Sequence, residues 1–212
     1  MSAAIYKTSD LHPDGKAISE CARVLRAGGI AVFPTETVYG IGVDAFNAEA
    51  IARLYAAKPR SAEKPLLMHI SGLAAAEELA YLDPRSRELI ARFTPGPLTL
   101  ILKRRSCIPA NAVSGGDTVG LRFPSNGIFL ALAKEFGGAI AATSANISGA
   151  ASAVDASGVS GVSESCDIIL DGGHTEYGLE STIISLVGEK PRLLRRGSFD
   201  VRLAEEVVGR CE

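Results

Sequence analysis

The sequence predicts an α/β fold, a layered domain in which helices pack on a mixed sheet. Short runs rich in valine, isoleucine and leucine alternate with amphipathic segments along the whole chain, as strands and helices do in layered proteins. Several of these runs are wholly apolar, which is typical of a mostly buried sheet. With 212 residues, of which 47% are hydrophobic, the chain can form a sizeable core, and we expect one domain over residues 1–212.

The first half of the chain contains predicted helices with clear ends. Apolar residues recur at helical spacing from Lys16 to Leu25, and Gly28 stops that helix. Asn47 is a good N-cap for a second helix, which continues to Ala57. The remaining predicted elements of this half are a short strand or arm around Ile5, strands over 30–33, 39–43 and 66–70, and helices over 73–82 and 84–93.

The second half continues the alternation, with turn residues between the elements. Residues 94–97, Thr-Pro-Gly-Pro, predict a rigid turn. Residues 148–161 are rich in serine, glycine and alanine, so we expect a mobile segment there, the one candidate for a linker or a lid. The predicted strands are 98–102, 118–123, 139–142, 167–170, 182–187 and 191–195, and the predicted helices are 128–136 and 201–208.

The composition argues against several classes of protein. The formal net charge is −2, so an anion site must be local and no general basic field is present. Four cysteines without a C-x-x-C pair and only three histidines argue against a structural zinc site. We find no signal-peptide pattern and no run near the roughly 20 apolar residues of a membrane span. We therefore expect a soluble, cytoplasmic protein with free thiols and no membrane contact.

The most cationic stretch of the chain is a predicted helix-to-strand connection. Lys58, Arg60 and Lys64 fall within seven residues, and Pro59 and Pro65 supply its turn residues. Three flexible cations on such a connection suit a polyphosphate or a nucleic-acid backbone. A solvated charged loop explains the same residues equally well, so other segments have to decide between the two.

Polar residues also lie within or at the ends of apolar strands. His69 is either a core histidine or a neutral ring at a pocket edge that binds an amine, hydroxyl or carboxylate. Arg122 and Arg195 lie near strand ends, where a buried arginine implies a carboxylate ligand or an internal acid. Ser144 and Asn146 either cap a turn or bind phosphate oxygens. Ligands of open α/β sheets bind at strand ends, so together these residues indicate an anion site there.

Several familiar motifs are missing or incomplete. The chain has no G-x-x-x-x-G-K-[ST], and although residues 40–45 spell G-x-G-x-x-A, no helix is predicted directly after them. Ser61 with Lys64, and Ser144 with Asn146, imitate two penicillin-binding elements, but the K-T-G element is absent. We find no obvious Ser-His-Asp set and no H-E-x-x-H. This favours chemistry by positioning and charge stabilisation, as in phosphoryl or nucleotidyl transfer.

Four separated motifs occur in an informative order. They are Pro34-Thr35-Glu36-Thr37-Val38-Tyr39-Gly40, the K-x-R of Lys58 and Arg60, the S-x-N of Ser144 and Asn146, and Gly178-Leu179-Glu180-Ser181-Thr182. With these motifs the chain closely resembles the YrdC domain family, from about residue 15 to its end. Members of that family include threonylcarbamoyl-AMP synthases, and the family fold is a twisted mixed α/β sheet around a positively lined cavity.

The resemblance implies a nucleotidyltransferase that acts in tRNA processing. Its reaction converts L-threonine, bicarbonate and ATP to L-threonylcarbamoyl-adenylate and pyrophosphate. Mg²⁺ is expected with ATP, since it often binds mainly through substrate oxygens, and no metal site of the protein alone is implied. A partner transferase complex then passes the threonylcarbamoyl group to the adenosine next to the anticodon, so that complex is an implied partner and contact with tRNA a further one.

The resemblance also assigns site residues position by position. Those on the ATP side are the tetrad Lys58, Arg60, Ser144 and Asn146, which is also the catalytic set, together with Lys64, Thr118, Ser152 and Arg195. Those implied for threonine are Thr37, His69, Arg122, Thr143 and Ser181, with Arg122 the natural partner of the substrate carboxylate. Two departures stand out: Ser61 replaces a proline that many relatives have, and the additional C-terminal domain of longer relatives is not expected here.

Two other hypotheses remain open at this point. The first is a non-catalytic protein that binds double-stranded or transfer RNA in the same basic concavity. The net charge of −2 and the lack of an aromatic stacking cluster fit it poorly. The second is a family paralogue with lost or altered activity, against which the intact tetrad argues.

Overall fold

The strands form one ten-stranded mixed sheet in the computed structural model, which describes residues 3–58, 64–147, 149–159 and 161–212. In chain order they are β1 Ala4–Lys7, β2 Ala31–Phe33, β3 Gly40–Asp44, β4 Leu67–His69, β5 Gly96–Lys103, β6 Thr118–Phe123, β7 Ile140–Ser144, β8 Ile168–Asp171, β9 Thr182–Ser185 and β10 Arg192–Arg195. Their order across the sheet is β1-β8-β2-β3-β7-β4-β6-β5-β9-β10. Four neighbouring pairs are parallel, namely β1 with β8, β2 with β8, β4 with β6 and β5 with β9. The predicted fold class is thus confirmed.

Six α-helices accompany the sheet in the described chain. They are α1 Gly15–Arg26, α2 Ala48–Ala57, α3 Leu73–Leu79, α4 Pro84–Phe93, α5 Gly127–Phe136 and α6 Val201–Val208. The predicted cap of α2 is confirmed, because Oδ1 of Asn47 accepts a hydrogen bond from the N–H of Ala50 at 3.0 Å. Among the described residues, no helix combines the length and the apolar character that a membrane crossing requires.

Successive side chains of the strands alternate between two cores, one on each face of the sheet. Ala31 and Phe33 pack with α1 and α5, whereas Val32 between them belongs to the core on the opposite face. In the same way Ala142 lies on the α1/α5 face and Ala141 on the other. The opposite core also takes side chains from the other helices, among them Ile51, Leu54, Ala76, Leu79, Leu89, Ile90, Val201 and Ala204.

The α1/α5 face is only partly covered by its helices. Within the described chain, the α1/α5 core includes residues of β2, β7 and β8 but none of β5, β6 or β9. In β6, Leu121 belongs to the opposite core, so its neighbours Gly120 and Arg122 point to the uncovered face. This uncovered part of the sheet is where the cavity described below lies.

The structure differs from the prediction in three places. Strand β5 begins at Gly96, so the expected turn over residues 94–97 is shorter and contains a cis Thr94-Pro95 bond. Strand β7 continues to Ser144, because its last two residues still pair with β3. The segment expected to be mobile is packed where it is described: Ala153 and Val159 are buried in the core.

Candidate functional site

A cavity of about 440 Å³ lies on the uncovered sheet face, beside α5. Its floor is made of side chains from within strands, among them Leu67, Ile101, Ala142 and Ile183. Its walls are the loop before β3, the residues before β4, the end of β7, the loop before β9 and the end of β10. The expected site at the strand ends is therefore extended across the face of the sheet, since helices cover only part of that face.

The cationic connection reaches the cavity at the end of β7. Lys58 caps the C-terminus of α2 and is 2% exposed. Its Nζ donates to the carbonyl oxygen of Ser144 at 2.5 Å and to Oδ1 of Asn146 at 3.0 Å, and the Ser144 hydroxyl donates to the same Oδ1 at 2.6 Å. Ser144 itself lines the cavity. Three members of the predicted tetrad thus come together, and the fourth, Arg60, lies outside the described residues.

Arg122 and His69 lie side by side on the cavity wall. They are register partners in the parallel pair β6 and β4, so their side chains share one face. Arg122 is 2% exposed and pairs with Glu36, whose Oε1 accepts from the guanidinium at 2.6 Å. Of the two sequence-based alternatives, the internal acid is therefore present; Arg122 still lines the cavity. Burial, only partly offset by Glu36, lowers the pKa of Arg122.

His69 is held as a neutral ring. Its Nδ1 lies 3.3 Å from the carbonyl oxygen of Leu67, to which it donates, so Nε2 is the acceptor nitrogen. The rings of Phe33 and Phe129 pack on it, with centroids 6.0 and 5.8 Å away. Burial, reinforced by the charge of Arg122, lowers the pKa of His69 to about 3.

A further part of the cavity wall is built around Arg195 and Glu180. The Arg195 guanidinium donates to Oε2 of Glu180 at 2.5 Å and to the Ser181 hydroxyl at 3.0 Å. Oε1 of Glu180 accepts from the Ser152 hydroxyl at 2.9 Å, and the Ser181 and Thr99 hydroxyls are 2.8 Å apart. Ser152 is not among the described residues that line the cavity, and it is connected to the cavity only through its hydrogen bond with Glu180.

The remaining predicted residues divide between the wall and the surroundings. Thr37, Lys64 and Thr143 line the cavity, and the Thr37 hydroxyl lies 2.8 Å from that of Thr35. Thr118 is on the same face of β6 as Arg122, four residues away, and is not among the described residues that line the cavity. The structure therefore brings all five residues assigned to threonine to the same cavity, and Thr118 is absent from its described lining.

Four site residues were not singled out from the sequence. Glu36 and Glu180 stand inside two of the quoted motifs, which was the one available signal. Thr35 is in the first motif as well, whereas Thr99 lies inside an apolar strand and only its contact with Ser181 reveals a role. Both acids pair with an arginine of the wall, which sequence spacing does not disclose.

Comparison with known proteins identifies the family. The model of the Sua5/YciO/YrdC family, described as "Telomere recombination", matches residues 23–197. The chain belongs to this family. The resemblance drawn from the four motifs is confirmed by this match.

Relatives within the Sua5/YciO/YrdC family differ in length. Threonylcarbamoyl-AMP synthase of Pyrococcus abyssi is 42% identical over 190 residues, covering 89% of this chain and 56% of the relative. The Bacillus subtilis protein of the same name is 38% identical, covering 95% of this chain and 59% of the relative. The putative threonylcarbamoyl-AMP synthase of Mycobacterium leprae is 35% identical, with coverage of 97% and 94%. The chain thus spans somewhat more than half of the first two relatives.

Solved structures of the family share the fold. P. abyssi Sua5 complexed with L-threonine superposes with a TM-score of 0.93 at 39% identity, covering 98% of this chain and 61% of that one. E. coli YciO gives a TM-score of 0.86 at 25% identity, with coverage of 95% and 98%. The predicted twisted mixed α/β sheet is therefore the fold of this family.

Proposed function

We propose that this protein is an L-threonylcarbamoyl-AMP synthase, a nucleotidyltransferase that makes L-threonylcarbamoyl-adenylate and pyrophosphate from L-threonine, bicarbonate and ATP. One observation carries the proposal: a single cavity is lined both by Thr37, His69, Arg122, Thr143 and Ser181 and by Lys64, Ser144 and Arg195. An amino acid and a nucleotide then meet in the same space. The names of the relatives and the L-threonine complex of P. abyssi Sua5 support the same reading.

The amino acid fits the end of the cavity that contains Arg122. The guanidinium is a permanent cation and attracts the carboxylate of L-threonine. The neutral His69 ring supplies an acceptor nitrogen for the amine or hydroxyl of threonine. The hydroxyls of Thr37 and Ser181 can donate or accept as the ligand requires. This end thus offers complementary groups for each polar part of L-threonine.

The triphosphate fits the end that contains Ser144. Lys58 and Asn146 are held against Ser144 by the hydrogen bonds described above, and Lys64 adds a further ammonium to the wall. Pre-positioned cations and hydroxyls stabilise charge that develops on phosphate oxygens during nucleotidyl transfer. In this proposal Mg²⁺ enters as part of the substrate MgATP, since Mg²⁺ often binds mainly through substrate phosphate oxygens.

The proposed chemistry has two steps that need both ends of the cavity. The unprotonated amine of threonine attacks the carbon of CO₂ and releases a proton to solvent, or attacks bicarbonate with loss of water, and in either case forms an N-carboxylate. An oxygen of that group attacks the α-phosphorus of ATP, the bond to the β-phosphate breaks, and pyrophosphate leaves with the electron pair. The product is a mixed anhydride that a threonylcarbamoyl transferase complex would consume in modifying tRNA; direct contact with tRNA belongs to the same proposal.

The test is pyrophosphate release by the purified full chain with MgATP and bicarbonate, with and without L-threonine. We expect release that requires L-threonine. Replacing Lys58 by alanine should lower the rate about 10²- to 10³-fold, because it removes one pre-positioned donor. Lys134→Ala, which changes an exposed lysine of α5, is the matched control and should keep the wild-type rate.

Two outcomes contradict the proposal. Absence of L-threonine-dependent release by the folded protein would remove the synthase function; RNA binding that weakens steeply with salt would then favour the non-catalytic alternative. Wild-type release by Lys58→Ala would leave the function standing but exclude Lys58 from charge stabilisation.

A further inference from the structure

The carboxylate of Glu36 lies directly behind the cavity wall. Its side chain is 2% exposed, and its neighbours Thr35 and Thr37 line the cavity. Oε1 accepts from Arg122 at 2.6 Å, and Oε2 accepts from the N–H of Ser125 at 3.2 Å. Among the described residues Glu36 is absent from the cavity lining, so it acts on a ligand only through Arg122. The reaction proposed above makes no use of it.

The contacts of Arg122 leave it without a complete pair of parallel donors. Its Nη2 donates to Glu36 and, at 3.4 Å, to the hydroxyl of Thr37, and its Nη1 donates to the carbonyl oxygen of Gly96 at 2.5 Å. A guanidinium binds phosphate or carboxylate most strongly through two parallel N–H groups on one edge. Nη2 belongs to both such edges, so a ligand that makes a bidentate contact with Arg122 has to compete with Glu36 and Thr37 for its donors.

The charge of Arg122 is balanced before any ligand arrives. Glu36 and Arg122 form a buried ion pair, and the neutral His69 beside it adds no charge. Arg195, another cation of the wall, is paired with Glu180, and the side chains of this second pair are 34% and 33% exposed. A zwitterionic amino acid places one negative charge against such a balanced site, whereas a phosphate group brings up to two and also needs several donors.

We propose that Glu36 sets the anion selectivity of the cavity: by neutralising Arg122 and engaging its donors, it excludes phosphate groups from the amino-acid end and leaves that end to a single carboxylate. The proposal rests on the proposed function in taking the amino-acid ligand to be L-threonine. Its consequence is that the phosphate groups of ATP stay away from Arg122, so that the two substrates take one relative orientation in the cavity.

The test uses inorganic phosphate as the probe, titrated calorimetrically into the 212-residue chain with and without L-threonine. In the wild type we expect phosphate to leave L-threonine binding unchanged. In Glu36→Gln, which removes the charge and keeps the shape, phosphate should compete with L-threonine and bind about tenfold or more tightly at that end, because the buried cation is no longer balanced. Phosphate alone should then show an additional site compared with the wild type.

The controls separate charge from structure. Glu77→Gln makes the same charge change in an exposed ion pair with Arg87 outside the cavity and should behave as the wild type. Glu36→Asp keeps the charge, so it should continue to exclude phosphate even where its shorter side chain weakens L-threonine binding. A residue with a purely structural role would lower the melting temperature without creating a phosphate site.

Several results would overturn the inference. They are competition by phosphate in the wild type, unchanged phosphate binding in a folded Glu36→Gln, and a new phosphate site in Glu36→Asp. If Glu36→Gln does not fold, two measurements still test the inference: competition between phosphate and L-threonine in the wild type, and phosphate binding by Glu36→Asp. Failure of the wild type to bind L-threonine would instead contradict the proposed function. The number of phosphate sites in the wild type and in Glu36→Gln would still test the role of Glu36.

Discussion

At the scale of single residues, the charge of one side chain of the wall, Arg122, helps to keep its neighbour His69 neutral. Arg122 keeps its proton and pairs with Glu36, while His69 is left without an acid partner of its own in the described chain. A cation beside a buried imidazole disfavours a second positive charge. Burial together with this charge therefore keeps His69 a neutral acceptor at neutral pH, and under the proposed function it would contribute to substrate binding by its shape and its lone pair.

The buried His69 makes stability depend on pH with a definite sign. Its pKa falls from about 6.5 in the unfolded chain to about 3 in the folded protein, so between these values the unfolded state binds the extra proton. The free energy of unfolding therefore falls as the pH is lowered below about 6.5. From pH 7 to pH 5 the contribution of this group alone amounts to roughly 2 kcal/mol. We expect urea unfolding of His69→Gln to lack that part of the decline.

The exposed His12 provides the control for this prediction. Its ring is in solvent in the folded protein as well as in the unfolded chain, so His12→Gln should keep the wild-type decline between pH 7 and pH 5. Carboxylates contribute equally to all three proteins and cancel in the comparison. The same slope for His69→Gln and the wild type would mean that His69 takes up its proton in the folded state.

The sequence identified the ionisable residues of the site that lie inside strands better than it identified their hydrogen-bond partners. Arg122 and His69 stood out because ionisable residues are rare inside apolar strands. The hydrogen-bond partners of site residues could not be predicted in the same way. Glu36 is 86 residues from Arg122, and Thr99 is 82 residues from Ser181. Only the strand order brings such residues together, and that order cannot be deduced from a single sequence.

At the scale of elements, the segment after Asn146 is part of the cavity's support. The carbonyl oxygen of Ala153 accepts from the N–H of Tyr39, and that of Val154 accepts from the N–H of Thr175. These bonds tie the segment to the loop before β3 and to the loop before β9. The serine, glycine and alanine content of this segment had predicted mobility, because small side chains offer little surface for packing. Composition does not show how well these small side chains pack in the fold.

The packing of this segment leads to a prediction about stability. Val159 is 2% exposed, so Val159→Ala removes two buried methyl groups and should lower the free energy of unfolding by about 2 kcal/mol. Val154→Ala, in the same segment but only partly buried, should cost less. The comparison is made by urea denaturation at one pH. Equal and negligible losses for both variants would indicate a detached lid, as the sequence had suggested.

Element boundaries were predictable where local chemistry sets them. The side chain of Asn47 starts α2, and α6 was predicted at the residues where it occurs. The end of β7 was not predictable, because Thr143 and Ser144 look like loop residues and are extended only through their pairing with β3. That pairing is what directs Ser144 toward Lys58 and the cavity.

At the scale of the whole molecule, the cavity exists because the two faces of one sheet are covered differently. A layered α/β protein with helices over both faces was predictable from the alternating pattern. Which strands would be left uncovered depends on the order β7-β4-β6-β5-β9 and on where α5 ends, both of which are set by long-range pairing. The cavity floor accordingly spans strands that are far apart in the chain, including Leu67, Ala142 and Ile183.

A ligand that rests on such a floor should stabilise the molecule as a whole. L-threonine at about 100 times its Kd adds about 2.7 kcal/mol to the free energy of unfolding. For a chain of this length that corresponds to a rise in Tm of roughly 5–10 °C. We expect scanning calorimetry to show one transition that moves upward, since the cavity floor on which the proposed ligand would rest is formed by strands from distant parts of the chain.

D-threonine is the matched control, because it has the same composition and charge but cannot place carboxylate, amine and hydroxyl on Arg122, His69 and Thr37 at once. We expect it to leave Tm within about 1 °C of the ligand-free value, as an unbound solute would. Equal shifts by both enantiomers would mean that the amino-acid end recognises charge alone. A shift confined to a minor, early transition would mean that the ligand orders a loop and that the sheet face is not its binding surface.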